Sequence, residues 1–419
     1  MRRNPSRLPR FFRYATVFLS LELALLLPAR ADFLEKVQSA LSLDAPDQHF
    51  HLQLSGLVDL ETYFIDPPAP ALIYTDDDIL FNPRLTIFLD AQIGSQIYLF
   101  AQTRVDRGFD PTDNGPDVRL DEYFVRYSPT KYAKFQIGQF ATVVGNWVQR
   151  HDSWQNPFIN APLPYENLTG MWDIAAPEEA DDLLYWGHVP GYDGGDYSEK
   201  ILRLPIIWGP SYASGASISG SIEQFDYAVE MKNTSLSSRP DTWSITQTGF
   251  GHPTFSSRIG FRPNEMWNIG VSASSGPYLQ PIAGASLPAG RGISDYREIV
   301  LGQDLSFAWH HLQLWAEFYE ARFEVPRIGN ADTFSYYFEA KYKFTPQFFG
   351  AIRWNQQVFG TIATDDEQQK WGNDIWRIDA ALGYRFTNYL QGKLQYSFSH
   401  QNSPQEGENL VAAQLTLKY

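Results

Sequence analysis

Charged residues of both signs recur in this chain at every second position of alternating stretches. Arg84, Arg104, Arg126, Arg258, Arg262, Arg353, Arg377, Arg385, Lys341, Lys343 and Lys393 share that spacing with Asp59, Glu61, Asp90, Asp106, Glu122, Glu339 and Asp379. Asp379 lies two residues from Arg377, and Asp106 two from Arg104, so members of one row share a face. Around a wet interior these groups could act in two ways. A basic wall opposite an acidic loop would set a transverse field and select solutes by charge. Pairing along the wall would instead satisfy a polar interior. The spacing leaves both readings open. A second set, Trp147, Arg150, Asp152, Trp154, Asp181 and Asp182, falls in residues 141–210, which lack clean alternation, and is placed to narrow that interior. Aromatic faces there could stack on sugar rings. The favoured reading is that Trp147, Trp154, Trp172 and Trp186 pack the segment against itself and the wall.

Signals for covalent chemistry are weak. His151-Asp152 could supply half of a catalytic triad or a metal pair, but one dipeptide without a matching nucleophile carries little. His310-His311 falls in an expected turn. There is no Gly-x-Ser-x-Gly, no phosphate-cradling glycine loop and no His-Glu-x-x-His. With 0 cysteines the chain has no disulfide, thiolate metal site or cysteine nucleophile. No catalytic residue, metal ligand or cofactor is assigned.

The elements that carry the charged rows read as strands. From Asp374 to the end, Trp376, Ile378, Ala380, Leu382, Tyr384 and Phe386 alternate with Arg377, Asp379, Ala381, Gly383 and Arg385. After Thr387-Asn388, Leu390, Leu394, Tyr396 and Phe398 alternate with Gln391, Lys393 and Gln395. The closing run sets Val411, Ala413, Leu415, Leu417 and Tyr419 against Ala412, Gln414, Thr416 and Lys418. Period two with one apolar face is the strand signature. These runs are about ten residues or longer, above the usual five or six. Very short and long connections alternate, and aromatics sit at strand ends. The fold class expected is all-β: a transmembrane antiparallel up-and-down barrel of about 16 strands, with 141–210 as a long inward-folding loop. Sixteen puts both termini and every short turn on one side and every long loop on the other. Fourteen or eighteen remain the alternatives, chiefly around the long loop, where Ile201–Trp208 could be a strand within it or an extension of the wall. Strands are expected near Ile79–Ile93 and over Val118–Tyr127 and Lys134–Phe140, and a loop over Glu324–Asp332.

Composition agrees. Aromatic residues make up 15% and hydrophobic residues only 43%, as expected where alternate residues meet lipid. Arg2, Arg3, Arg7, Arg10 and Arg13, then an apolar run, then Ala29-Arg30-Ala31, read as a signal peptide over 1–31. Removing its six arginines and one glutamate takes the formal charge from −15 to −20, which argues against nucleic acid as a partner. Residues 32–48 are expected to form a periplasmic leader, with a short helix over Asp32–Leu43. Residues 49–419 form the barrel.

As a pattern over nearly all of 32–419, the chain resembles Gram-negative outer-membrane porins, and most of all the phosphate-selective porin O and P type. The local echoes are Leu120-Asp121-Glu122-Tyr123-Phe124-Val125, Phe135-Gln136-Ile137-Gly138-Gln139-Phe140, and Ser219-Gly220-Ser221-Ile222 followed by Phe225-Asp226-Tyr227-Ala228. The terminal aromatic resembles the C-terminal signal of such barrels, with Tyr419 where Phe is usual. The resemblance implies a homotrimer in the outer membrane of a Gram-negative bacterium, in contact with its lipid. It implies delivery by the barrel-assembly machinery through the C-terminal strand, and passive passage of small hydrophilic solutes through a water-filled lumen. Phosphate selectivity would need convergent cations. The long loop instead carries Glu178, Glu179, Asp181, Asp182, Asp193 and Asp196, so weak cation preference is expected. The rival readings are an outer-membrane barrel hydrolase and a plugged barrel that holds a partner.

Overall fold

The structure, a computed structural model, describes residues 36–37, 39–45, 49–66, 69–75, 77–107, 117–188, 200, 202–240, 249–365, 367–402 and 407–419. The expected signal peptide, the start of the leader, Asp193 and Asp196 lie outside the described residues.

The period-two runs form strands. Sixteen of them close one antiparallel barrel among the described residues. The first five are β1 (Phe50–Ile65), β2 (Ile79–Ile93), β3 (Ile97–Asp106), β4 (Asp117–Tyr127) and β5 (Lys134–Phe140). After the long loop come β6 (Ala213–Ile222), β7 (Phe225–Lys232), β8 (Thr254–Phe261), β9 (Trp267–Pro277) and β10 (Arg297–Trp309). The remainder are β11 (Leu312–Val325), β12 (Gly329–Lys343), β13 (Phe348–Phe359), β14 (Ile375–Arg385), β15 (Leu390–Gln401) and β16 (Glu408–Lys418). Each pairs with the next. β16 returns to β1, from Leu410↔Ile65 to Lys418↔Leu57, so the sheet keeps no long free edge.

Burial runs opposite to that of a water-soluble sheet. On β14, Arg377, Asp379 and Ala381 are buried, while Ile378, Leu382 and Tyr384 are exposed. On β12 and β13, Glu339 and Arg353 are buried, and Phe338 and Ile352 exposed. An apolar outer face over a polar inner face is stable only if the outside is lipid. Tyr342, Phe344, Tyr384 and Phe386 stand exposed where β12 and β14 reach the short turns, as an interfacial aromatic girdle does. The end carrying the termini and short turns is termed the turn end, and the opposite end the loop end.

Four local readings need correction. Leu43 belongs to a short strand, Ser42–Asp44, rather than to the leader helix. That strand pairs with β1 at Ser42↔Gln53, in line with the chain terminus, where Gly56 and Tyr419 exchange backbone hydrogen bonds of 3.0 and 3.1 Å. It covers the part of β1 that extends past β16. Gly56 is required there, because a Cβ would sit 2.4 Å from the Tyr419 ring. The connection expected over Glu324–Asp332 shrinks to residues 326–328, since β11 and β12 both extend to Val325↔Gly329. In the stretch Ile201–Trp208, expected as a strand within the loop or an extension of the wall, Ile206, Ile207 and Trp208 are buried and outside any strand, with Ile206 and Ile207 in the cluster of Val144, Trp147 and Tyr165. Finally, β4 carries a bulge opposite Gln102/Thr103. The extra residue turns Arg119 and Asp121 toward the same side as Glu122 and Arg126.

Candidate functional site

The described residues of 141–212 fold into the barrel and make most of their bonds to one side of its wall. Three short elements give them shape: a 3-10 turn (Trp147–Arg150), α1 (Leu163–Glu166) and α2 (Ala180–His188). Glu317 on β11 accepts hydrogen bonds from the backbone N–H of Asn146 (2.5 Å) and Trp147 (2.7 Å), at the start of the 3-10 turn. Its other oxygen accepts the Tyr165 hydroxyl (2.6 Å). A buried carboxylate facing free backbone donors suits a turn N-terminus. Gly145 leads in at φ +78, and a Cβ there would lie 2.1 Å from the Tyr319 hydroxyl, so only glycine fits.

Further contacts continue around the wall. Arg150 bonds Glu339 on β12 (2.5 Å) and lies over Trp315 (4.3 Å). Arg353 on β13 binds Asp379 (2.8 Å) and the Asn160 side chain (2.6 Å) and covers Phe158 (4.3 Å). Arg377 on β14 reaches Glu166 of α1 (2.5 Å) and the Ala161 carbonyl (2.6 Å). Lys393 on β15 donates to the carbonyls of Ser153, Asn156 and Phe158 at 2.8–3.1 Å. Burial pushes the Glu166 carboxyl up from its ordinary range, against the opposing pull of Arg377.

The wall from β1 to β4 is different. Arg84 pairs with Asp59 (3.1 Å) and Glu61 (2.6 Å). Arg104 pairs with Asp121 (2.8 Å), and Arg119 with Asp106 (2.9 Å). The side chains of Arg84 and Arg104 stay 21% and 18% exposed, against 0% for Arg353 and 4% for Arg377. Most of the loop's contacts therefore fall on β11–β15, and on the opposite wall Arg84 and Arg104 stay partly exposed while Asp59, Glu61 and Asp121 beside them are buried.

The remaining predicted residues divide. Arg258 pairs with Asp304 (2.7 Å) and Asp226 (2.9 Å). Arg126 bonds Gln136 (2.8 Å), and buried Lys341 lies over Phe349 (4.2 Å). Arg385 and Lys418 stand over Trp154 at 5.3 and 5.9 Å. Arg262 lies one residue past β8 at the turn-end rim, 57% exposed, and shares Asp226. Trp147 packs on Tyr165 (4.6 Å), and Trp172 stacks on Trp186 (4.4 Å), so packing is the role found for these three tryptophans. Asp152 folds back onto the N–H groups of Trp154 and Gln155. Asp182 likewise accepts the N–H of Glu178 (2.8 Å) ahead of α2. Asp181 is exposed on α2, whose Leu183 joins a cluster with Tyr278, Phe323 and Trp371 at the loop end. Asp181 and Asp182 thus stand apart from Trp147, Arg150 and Trp154. His151 lies between the Val148 carbonyl (2.6 Å) and the Tyr212 hydroxyl (2.8 Å), and its neighbour Asp152 serves its own turn.

Sequence reasoning missed Glu317, Tyr165 and Glu166, which hold the loop, and Lys200. Lys200 is buried and donates to the carbonyls of Ala69 (2.6 Å) and Ile73 (2.7 Å), tying the long loop to the β1–β2 connection. Burial lowers its pKa to about 7. The surviving signal for Glu317 was its standing as the one charged residue in the aromatic-rich run Trp315-Ala316-Glu317-Phe318-Tyr319, in phase with Trp315 and Tyr319.

No family model and no curated protein match this sequence. Solved structures do. Salmonella typhi OmpF in complex with daunomycin aligns at 12% identity and TM-score 0.56, over 90% of this chain and 100% of that one. The anion-selective porin from Comamonas acidovorans aligns at 10% identity and TM-score 0.54, over 88% and 100%. The outer membrane channel DcaP of Acinetobacter baumannii aligns at 10% identity and TM-score 0.53, over 90% and 99%. At such identities the likeness is one of fold: a sixteen-strand porin barrel of the Gram-negative outer membrane.

Proposed function

We propose that this protein is a passive channel for small hydrophilic solutes and ions. Passage runs between the long loop and the β1–β4 wall, down the solute's own gradient. The observation that carries the reading is the uneven cover of the wall: Arg353 and Arg377 are closed off beneath the loop, while Arg84 and Arg104 stay partly exposed.

The charge of the open wall bears on selectivity. Each of Arg84, Arg104 and Arg119 already has a carboxylate partner. The acids there, Asp59, Glu61, Asp106, Asp121 and Glu122, outnumber them. A desolvated phosphate would need several cations free to converge on it, so the reading is a general porin with weak cation preference rather than a phosphate-selective one. The wider reading includes a homotrimer, removal of residues 1–31, and insertion by the barrel-assembly machinery through β16. The test is single-channel recording of the refolded protein in a planar bilayer under a salt gradient. Steady conductance with a reversal potential of cation-selective sign is expected. A silent membrane would overturn the channel reading, and an anion-selective sign would overturn the charge assignment.

A further inference from the structure

The turn-end half of the open wall carries a patch that ion passage does not require. Phe88 on β2, Tyr98 and Phe100 on β3 and Phe124 on β4 alternate in phase with Arg84, Arg104 and Arg126, so they point into the lumen. Here four rings meet. Phe88 and Phe100 lie 6.2 Å apart, Tyr98 and Phe100 6.3 Å, and Phe100 and Phe124 5.4 Å, with planes inclined 20–34°. Phe88, Tyr98 and Phe100 are only half-buried.

Polar groups edge the patch. Arg126 stands over Phe124 (4.9 Å) and Tyr98 (5.6 Å) and bonds Gln136. Asp90 accepts the Tyr98 hydroxyl and lies across from Phe100 in register. Gln102 sits beside Phe88 in register and bonds Tyr212 at the loop (3.3 Å). Binding sites for small molecules combine such apolar faces with a few placed polar groups. An anion would meet Asp90 and a cation would meet Arg126, so neither sign of charge is favoured. A purely apolar solute would make no use of the amides and the carboxylate at its edge. A ring that offers a C–H face to the negative π surface and hydroxyls to the edge satisfies both parts.

From this juxtaposition we propose that Phe88, Tyr98, Phe100 and Phe124, edged by Asp90 and Arg126, form a weak binding site for a neutral pyranose sugar in transit. The site rests on the channel reading above. It would raise sugar occupancy on the turn-end side of the constriction without gating it.

The test is ion current through the purified full-length barrel in a planar bilayer, with glucose and maltose as probes and benzoate as comparison. Wild type is expected to show saturable, sugar-dependent current block. Phe100→Leu keeps apolar volume but removes the central ring. It is expected to weaken that block about tenfold while sugar-free conductance stays unchanged, and Phe100→Tyr restores it. Phe100→Leu is chosen over Phe100→Ala because it leaves the strand packed. An open channel with no sugar block, or with equal block in Phe100→Leu, overturns the sugar site and leaves the channel reading standing. Block by benzoate alone overturns the sugar assignment. A silent wild-type membrane removes both.

Discussion

Replacing Glu317 tests how the loop is held. In Glu317→Ala the N–H groups of Asn146 and Trp147 lose their acceptor inside a dry cluster, and the Tyr165 hydroxyl loses its own. A buried donor left without a partner costs about 1–3 kcal/mol, so the two N–H groups alone amount to about 2–6 kcal/mol. At the middle of that range the bound form of this loop segment weakens by roughly a thousandfold. Glu317→Gln behaves differently. Its carbonyl oxygen still serves the two N–H groups, and its amide can donate to a rotated tyrosine hydroxyl, so only charge assistance is lost, about 1–2 kcal/mol. The strand ladders are untouched in both. The expected result is a folded Glu317→Ala barrel with larger or flickering conductance and faster proteolysis within 141–160, and a Glu317→Gln barrel close to wild type. Wild-type conductance together with wild-type protease resistance in Glu317→Ala would refute the idea that this carboxylate holds the loop.

Gly145→Ala should resemble Glu317→Ala in the same recordings, because its Cβ must displace the Tyr319 and Tyr165 hydroxyls and φ +78 adds about 1–2 kcal/mol of strain. Arg353→Met leaves Asp379 buried with one guanidinium fewer and should lower barrel stability by about 3–5 kcal/mol, read as a reduced midpoint in urea unfolding. Lys200 gives a pH dependence. Its pKa falls from 10.5 to about 7 on folding, so between those values the unfolded form holds the extra proton, and stability of the loop contact rises as pH increases through that window. Proteolysis of the loop should therefore slow from pH 7 to 10, and the trend should vanish in Lys200→Met.

The strands were legible because period two constrains every residue of a wall with lipid on one side. Ile79–Ile93 and Lys134–Phe140 have the same bounds in the alternation and in the fold. The reading broke where one residue changes parity. The bulge in β4 brings Arg119 and Asp121 inward, and nothing in Val118–Tyr127 marks the extra residue. It also broke where partners are distant. Glu317 meets Asn146 across 171 positions of chain, and the loop that supplies Asn146 has no period to read. The choice between a transverse field and wall-to-wall pairing lay outside the reach of spacing. It depends on which cations the loop covers, which only the folded loop reveals.

A polar barrel interior has to satisfy its buried groups wherever water is shut out. On β13–β15, Arg353, Arg377 and Lys393 are closed to water, and part of what they bond is loop: the Asn160 side chain, Glu166 and five main-chain carbonyls. Those strands and that loop are therefore one packed unit, and lifting the loop away would strand cations that now have fixed partners. The β1–β4 wall satisfies its arginines largely from its own strands, through Asp59, Glu61, Asp106 and Asp121. It can face water without any help from the loop. One half of the interior thus depends on the loop for its partners, and the other pairs its arginines without it. In the proposed channel, the edge that the loop presents is fixed by this packing against β13–β15.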